Sequence, residues 1–159
     1  MPYQNYSNRF NKFAPKKPVK SFRDLEVYQK TIECSVIIDK NIVPDLVKQK
    51  SDMVQDISKN ALAIPLYIAE AHSLRFADFA LALGYIEKAL AGCNRLSVYL
   101  DHIKGLYGPS SDIAVGRKAT NISPPSPNPD LIDDLINRYF FVRQKIFRLE
   151  LSWKKYMNK

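Results

Sequence analysis

The chain has 159 residues, of which 46% are hydrophobic and 25% charged, and its net charge at pH 7 is +8. This size and balance are typical of one globular domain that buries a core without disulfides or a structural metal. No apolar run is long enough to predict a membrane-spanning helix, and the first 20 residues lack the apolar stretch of a secretory signal. We therefore expect a cytoplasmic protein that makes no use of a membrane.

Positive charge is concentrated towards the two ends of the chain. Residues 1–23 hold six basic residues and no acidic one, whereas 24–128 hold nearly equal numbers of both. Residues 1–20 mix Asn, Lys, Pro and isolated aromatics without a helical or strand period, so we expect a basic flexible arm without its own core. Residues 129–159 are basic again, with seven Lys or Arg against four Asp or Glu.

The first helix is predicted over about 21–43. Ser21 and Asp24 have the spacing of a capping box, and Pro44 is expected to end the helix. Its main apolar stripe recurs every three or four residues and consists of Phe22, Leu25, Tyr28, Ile32 and Val36. Val27, Cys34 and Ile38 fall outside that stripe. The helix therefore has a second apolar face, for which we expect another buried contact.

Two further helices are predicted over about 51–73 and 76–106. Ser51 is a candidate cap for the former, and Pro65 within it predicts a kink. The latter carries apolar residues at alternating spacings of four and three, which is typical of packing in a helical bundle. Cys34 and Cys93 lie within apolar helical patterns, so we expect reduced thiols that pack in the core.

A loop rich in Gly, Pro and Ser is predicted over 107–128, before the last helix at 129–157. Asn128 and Pro129 form a good cap and first-turn pair for that helix. No alternating strand pattern occurs. Residues 21–159 are therefore predicted to form an all-α, antiparallel up-down four-helix bundle that follows the basic arm at 1–20.

Basic residues on the last helix are candidates for contacts with nucleic acid. Arg138, Lys145 and Lys159 are whole heptads apart, as are Arg148 and Lys155, so a phosphate backbone could lie along one side. This helix alone is better explained as a solvated face, but the arm adds cations for phosphates and aromatics that can stack on bases. The predicted nucleic-acid-binding residues are Arg9, Lys12, Lys16, Lys17, Lys20, Arg23, Arg138, Lys145, Arg148 and Lys155.

Common catalytic signatures are missing, so we expect a protein that is not an enzyme and has no catalytic residues, metal or cofactor. Glu70 and His72 are two apart and lie on different helix faces, and the Glu-x-x-His motif of di-iron bundles does not occur. Arg95 and His102 have a spacing similar to the Arg-x(4-6)-His motif of HEPN ribonucleases. There His102 would be the general base and Arg95 would stabilise the phosphorane, but chance explains the spacing as easily.

Two segments resemble one known family. Segment 22–30, Phe-Arg-Asp-Leu-Glu-Val-Tyr-Gln-Lys, resembles the signature Phe-Arg-Asp-Leu-x-Val-Trp-Gln-Lys of the four-helix-bundle family encoded in intervening sequences of bacterial 23S ribosomal RNA genes. Segment 64–71, Ile-Pro-Leu-Tyr-Ile-Ala-Glu-Ala, is similar to that family's Ile-Pro-x-Asn-Ile-Ala-Glu-Gly, from which Tyr67 and Ala71 depart. The resemblance covers roughly 21–106.

The resemblance implies an antiparallel bundle that assembles as a ring-like homopentamer. The same fold family includes the accessory variability determinant (Avd) proteins of diversity-generating retroelements, which are basic pentamers that bind a reverse transcriptase and its template RNA. It therefore implies a non-catalytic scaffold whose partners are itself, RNA or another nucleic acid, and a reverse transcriptase. Two alternatives stay open: a self-assembling member of the family with no nucleic-acid role, and a HEPN-like ribonuclease.

Overall fold

A computed structural model of the chain describes residues 17–108 and 127–158. These residues form helices and no strand, as the sequence predicted. The elements are a 3-10 helix Phe22–Asp24, α1 Glu26–Ile37, a π-helical turn Ile38–Ile42, α2 Val43–Lys48, α3 Val54–Leu74, α4 Phe79–Tyr107 and α5 Pro129–Met157. The π-helical turn joins α1 to α2 without a break, and we call the continuous helix 26–48 the first rod. The fold thus has four helical rods, which are the first rod, α3, α4 and α5. Most of the predicted arm and loop lies outside the described residues.

Short polar side chains cap two of the three helices for which the sequence predicted caps, but α3 has no side-chain cap, because its N-cap position is Met53 rather than Ser51. Ser21 and Asp24 form a capping box, but it caps the 3-10 helix, and extended backbone at Leu25 delays α1 until Glu26. Asn128 Oδ1 accepts a hydrogen bond from the backbone N–H of Asp130 at 2.9 Å and caps α5. Each cap satisfies a backbone donor that the first helical turn leaves without a partner.

The expectation that Pro44 ends the first helix is wrong, because the first rod continues to Lys48. The residues just before Pro44 form the π-helical turn, in which the Val43 N–H donates to the carbonyl of Ile38, five residues back. Pro44 then lies in the first turn of α2, where a missing N–H and a fixed φ are tolerated. Pro65 lies inside α3, which continues through it to Leu74.

The face of α1 that was expected to be secondary is the more buried one. Val27, Cys34 and Ile38 are buried in the core, whereas Val36 of the expected main stripe is exposed. Leu25 of that stripe is buried as well. Both expected faces therefore contribute to the core, and the main stripe leaves it towards the end of α1.

The rods pack around one apolar core. The first rod and α4 each contact both α3 and α5, so α3 and α5 occupy opposite corners. Gly92 of α4 allows a close approach to α3, since a Cβ atom there would lie 2.8 Å from Ile64 Cγ1. Cys34 and Cys93 are buried free thiols, and burial raises their pKa to about 11 and about 12. Both thiols therefore stay protonated and pack as small apolar groups, as expected.

Candidate nucleic-acid interface

The first two predicted cations of α5 are engaged by carboxylates. Arg138 Nε donates to Asp134 Oδ2 at 2.8 Å, and its Nη1 donates to Glu33 Oε1 of α1 at 3.1 Å. Lys145 Nζ donates to Glu26 Oε2 of α1 at 2.7 Å. Hydrogen bonds from Asp134 and then Glu33 raise the pKa of Arg138. Each of these two cations therefore has a carboxylate partner within the protein.

A shared heptad spacing creates both cross-helix pairs. Glu26 and Glu33 are seven residues apart on α1, and Arg138 and Lys145 are seven residues apart on α5. Because side chains one heptad apart lie on the same helix face, two acids on one helix can meet two bases on its neighbour. Sequence reasoning missed the acids, although the equal spacing was the signal that could have found them.

The other two predicted cations of α5 have no such partners. Arg148 and Lys155 are exposed, and neither forms a salt bridge within the part of the chain that the structure describes. They are one heptad apart and therefore lie on the same side of α5. Their charges are available to an external anion.

Two cations of the N-terminal arm, and a third just beyond it, lie in the described segment. Lys17, Lys20 and Arg23 are exposed. Asp24 Oδ2 accepts hydrogen bonds from the backbone N–H groups of Lys20 at 2.9 Å and Ser21 at 3.0 Å, and these bonds, Ser21's first, lower the pKa of Asp24. The backbone is therefore fixed where the arm meets the bundle. The other predicted arm residues, Arg9, Lys12 and Lys16, lie outside the described residues.

The arm segment and the last turns of α5 meet at one end of the bundle. Val19 and Leu25 line one surface groove together with Trp153 and Tyr156 of α5. Lys17 and Lys20 flank Val19 in sequence, and Lys155 immediately precedes Tyr156. The segment that carries the arm cations and the last turns of α5 therefore lie at the same end of the bundle. We call Lys17, Lys20, Arg23, Arg148 and Lys155 the basic end cluster.

Among the described residues, the structure provides neither a ribonuclease-like site at Arg95 and His102 nor a metal-binding site. Arg95 and His102 are exposed on α4, and Arg95 Nη1 donates to Asn60 Oδ1 of α3 at 3.0 Å. Across the described ranges, no three His, Cys, Asp or Glu side chains are close enough to hold a metal ion. None of the helices in those ranges is long and apolar enough to cross a bilayer.

Comparisons with protein-family models, curated proteins and solved structures found no match. No relative therefore assigns a ligand or partner to the basic end cluster. In the structure, the family-like segment 22–30 covers the 3-10 helix and the start of α1, and 64–71 lies within α3. The interpretation of the cluster depends on its own charges and surroundings.

Proposed function

We propose that this protein is a non-catalytic, self-assembling scaffold that binds nucleic acid through the basic end cluster. The observation that carries the proposal is that five exposed cations, none in a salt bridge among the described residues, lie on the segment before α1 and on the last turns of α5, two segments that line one groove. Phosphate contacts by such cations release counter-ions and supply most sequence-independent affinity for nucleic acid. Arg138 and Lys145 contribute less, because Glu33 and Glu26 already bind them.

The ligand we propose is RNA, and the working model is an Avd-like accessory protein of a diversity-generating retroelement. The resemblance of segments 22–30 and 64–71 to the intervening-sequence bundle family supports this choice, and it makes a reverse transcriptase the proposed protein partner. The basic end cluster gives the chain a surface that such a template RNA could bind. The motif resemblance supports this class of partner, while the exposed charges support phosphate as the group that is contacted.

We infer that the four rods alternate in direction, in an up-down arrangement. The pairs of Arg138 with Glu33 and of Lys145 with Glu26 support opposite directions for α1 and α5, since numbers rise on one helix as they fall on the other. The contact of Arg95 with Asn60, together with the ring pair of Tyr67 and Tyr85, supports the same relation for α3 and α4. Such a bundle suits the connections between consecutive rods.

The proposed assembly is a homopentameric ring. Leu62 and Leu66 are exposed on α3, and Phe140, Phe147 and Leu151 are exposed on α5. Because α3 and α5 occupy opposite corners, two different apolar surfaces lie on opposite sides of each subunit. A head-to-tail contact between unlike surfaces generates a closed ring when the rotation closes. Repetition around the ring would also multiply a weak RNA site.

Light scattering coupled to size exclusion tests assembly and binding together. The full chain is run at about 50 mM salt with and without a short structured RNA, beside a chain lacking 1–20 and a Phe140→Ser/Phe147→Ser variant. We expect the full chain to elute with a mass close to five times 18.2 kDa and to carry RNA with it. The Phe140→Ser/Phe147→Ser variant should form smaller oligomers or monomers. The chain lacking 1–20 should remain a pentamer but bind much less RNA.

An 18.2 kDa monomer that ignores RNA would contradict both halves of the proposal. A pentamer that ignores RNA would leave the alternative of a purely self-assembling bundle. Salt separates the two modes of interaction, because phosphate binding weakens steeply as salt rises and apolar assembly does not.

A further inference from the structure

An aromatic groove of about 460 Å³ opens at the same end as the basic end cluster. Its residues come from the end of α3, the turn into α4, the start of α4 and the last turns of α5. The ones that matter here are His72, Arg75, Phe76, Phe79, Trp153 and Tyr156. Phe76 is 77% exposed and Tyr156 is 71% exposed. Large solvent-exposed aromatic side chains around a groove are typical of a binding surface.

A cation without a counter-ion lies in this aromatic groove. The guanidinium carbon of Arg75 is 4.3 Å from the centre of the Phe76 ring. Arg75 forms no salt bridge among the described residues, and its Nη1 donates to the backbone carbonyl of His72. An arginine stacked on an aromatic ring still has donors that can meet a phosphate.

His72 adds a hydrogen-bonding group with spare capacity. It is 7% exposed, and its buried Nε2 has no hydrogen-bond partner in the described part of the chain. Burial, then the charge of Arg75, lowers the pKa of His72, so the imidazole is neutral at pH 7. A neutral imidazole has one donor and one acceptor nitrogen. It is therefore better suited to hydrogen-bond an uncharged polar group of a ligand than to bind a charged one.

We infer that this groove takes one unpaired base of a single-stranded RNA. The base stacks against the aromatic side chains, and its flanking phosphates contact Arg75 and Lys155. This inference rests on the proposed function, because the basic end cluster brings the strand to the groove. An isolated amphipathic anion fits less well: one carboxylate can neutralise Arg75 but not the cations at Lys17, Lys20 and Lys155, whereas a strand repeats its phosphates.

Trp153 provides a direct probe, because it is the only tryptophan in the chain and it lines the groove. The full chain is titrated with octauridylate and with an eight-unit abasic ribose-phosphate strand that carries the same charge. We expect octauridylate to quench Trp153 fluorescence and to bind roughly 5- to 100-fold more tightly than the abasic strand, because base stacking is missing from the latter. The abasic strand should still bind through its phosphates, without quenching.

Single substitutions of exposed aromatics localise the effect. Tyr156→Ala should weaken octauridylate binding about fivefold or more and leave the abasic strand unaffected. Phe76→Ala also removes the ring on which Arg75 stacks, so it should weaken octauridylate binding more than it weakens abasic binding. Phe141→Ala is the matched control: this ring is exposed on α5 near Lys145, outside the groove, and its loss should not reduce the preference for bases. Circular dichroism melting checks that each variant stays folded.

The outcomes separate the groove from the cluster. Equal binding of both strands without quenching would overturn the groove assignment and leave the proposed phosphate binding intact. Binding of neither strand at low salt would overturn the proposed function and this inference with it. Quenching by decanoate but not by octauridylate would also overturn the inference, since it would assign the groove to an amphipathic small molecule.

Discussion

Two pairs of basic residues on α5 have the same heptad spacing but different surroundings. Arg138 and Lys145 meet Glu33 and Glu26 of α1. Arg148 and Lys155, nearer the C-terminal end of the helix, form no salt bridge among the described residues. A stripe of cations in sequence is therefore not a uniform positive surface, because the neighbouring helix decides which charges remain for a ligand.

The largest expected effect comes from removing the whole basic end cluster. If all five cations contact single-stranded RNA, the logarithm of affinity falls by roughly 0.7 per contact for each tenfold rise in salt. Affinity of the natural chain should then drop roughly a hundredfold between 50 and 200 mM salt. Substituting Lys17, Lys20, Arg23, Arg148 and Lys155 with Ala should remove most of that dependence. Fluorescence anisotropy with a labelled RNA measures the affinity at each salt concentration. An unchanged salt slope in the variant would contradict the assignment of these five cations to RNA binding.

Freeing one of the paired cations of α5 should strengthen binding. In a Glu26→Gln/Glu33→Gln variant, Lys145 loses its carboxylate partner and becomes available to phosphate, whereas Arg138 keeps Asp134. We expect tighter RNA binding and a salt slope that steepens by about 0.7, which is one contact. Asp56→Asn/Asp101→Asn is a control that removes the same charge from α3 and α4. An equal gain in that control would show that net charge, rather than the pairing on α5, governs affinity.

The cross-helix pairs themselves should add little to folding. Arg138 and Glu33 keep 41% and 57% of their side-chain surface in water, where ion pairs are screened. We expect Arg138→Ala/Lys145→Ala to lower the free energy of unfolding by no more than about 1 kcal/mol per pair, as measured by urea unfolding. A loss of several kcal/mol would mean that these pairs stabilise the bundle far more than their exposure suggests.

Local features of the fold could be predicted from the sequence. The buried face of a helix and the contacts between distant segments could not. Asn128 was recognisable as a cap because capping depends on adjacent residues. The core side of α1 was misassigned because its apolar residues fit two faces, and only packing against α3 and α5 selects the more buried one. The neutralisation of Lys145 by Glu26 joins residues more than a hundred positions apart, and the groove at Trp153 depends on three rods meeting.

The smallest expected effect concerns pH at the groove. Burial lowers the pKa of His72 below its ordinary value of 6.5, so the unfolded chain binds more protons than the folded chain in the interval between the two values. The contribution of His72 to stability is therefore fully present above pH 6.5 and is lost as pH falls through the folded-state pKa. His72→Gln should flatten this part of the stability profile in urea unfolding.

The most direct test of the account compares two double variants that each remove two positive charges from α5. Arg148→Ala/Lys155→Ala and Arg138→Ala/Lys145→Ala are titrated with the same single-stranded RNA over 50 to 200 mM salt. The account predicts that the salt slope falls by about 1.4 for Arg148→Ala/Lys155→Ala and changes little for Arg138→Ala/Lys145→Ala. Equal losses in both variants, or no loss in either, would contradict the claim that partners on α1 decide which cations bind RNA.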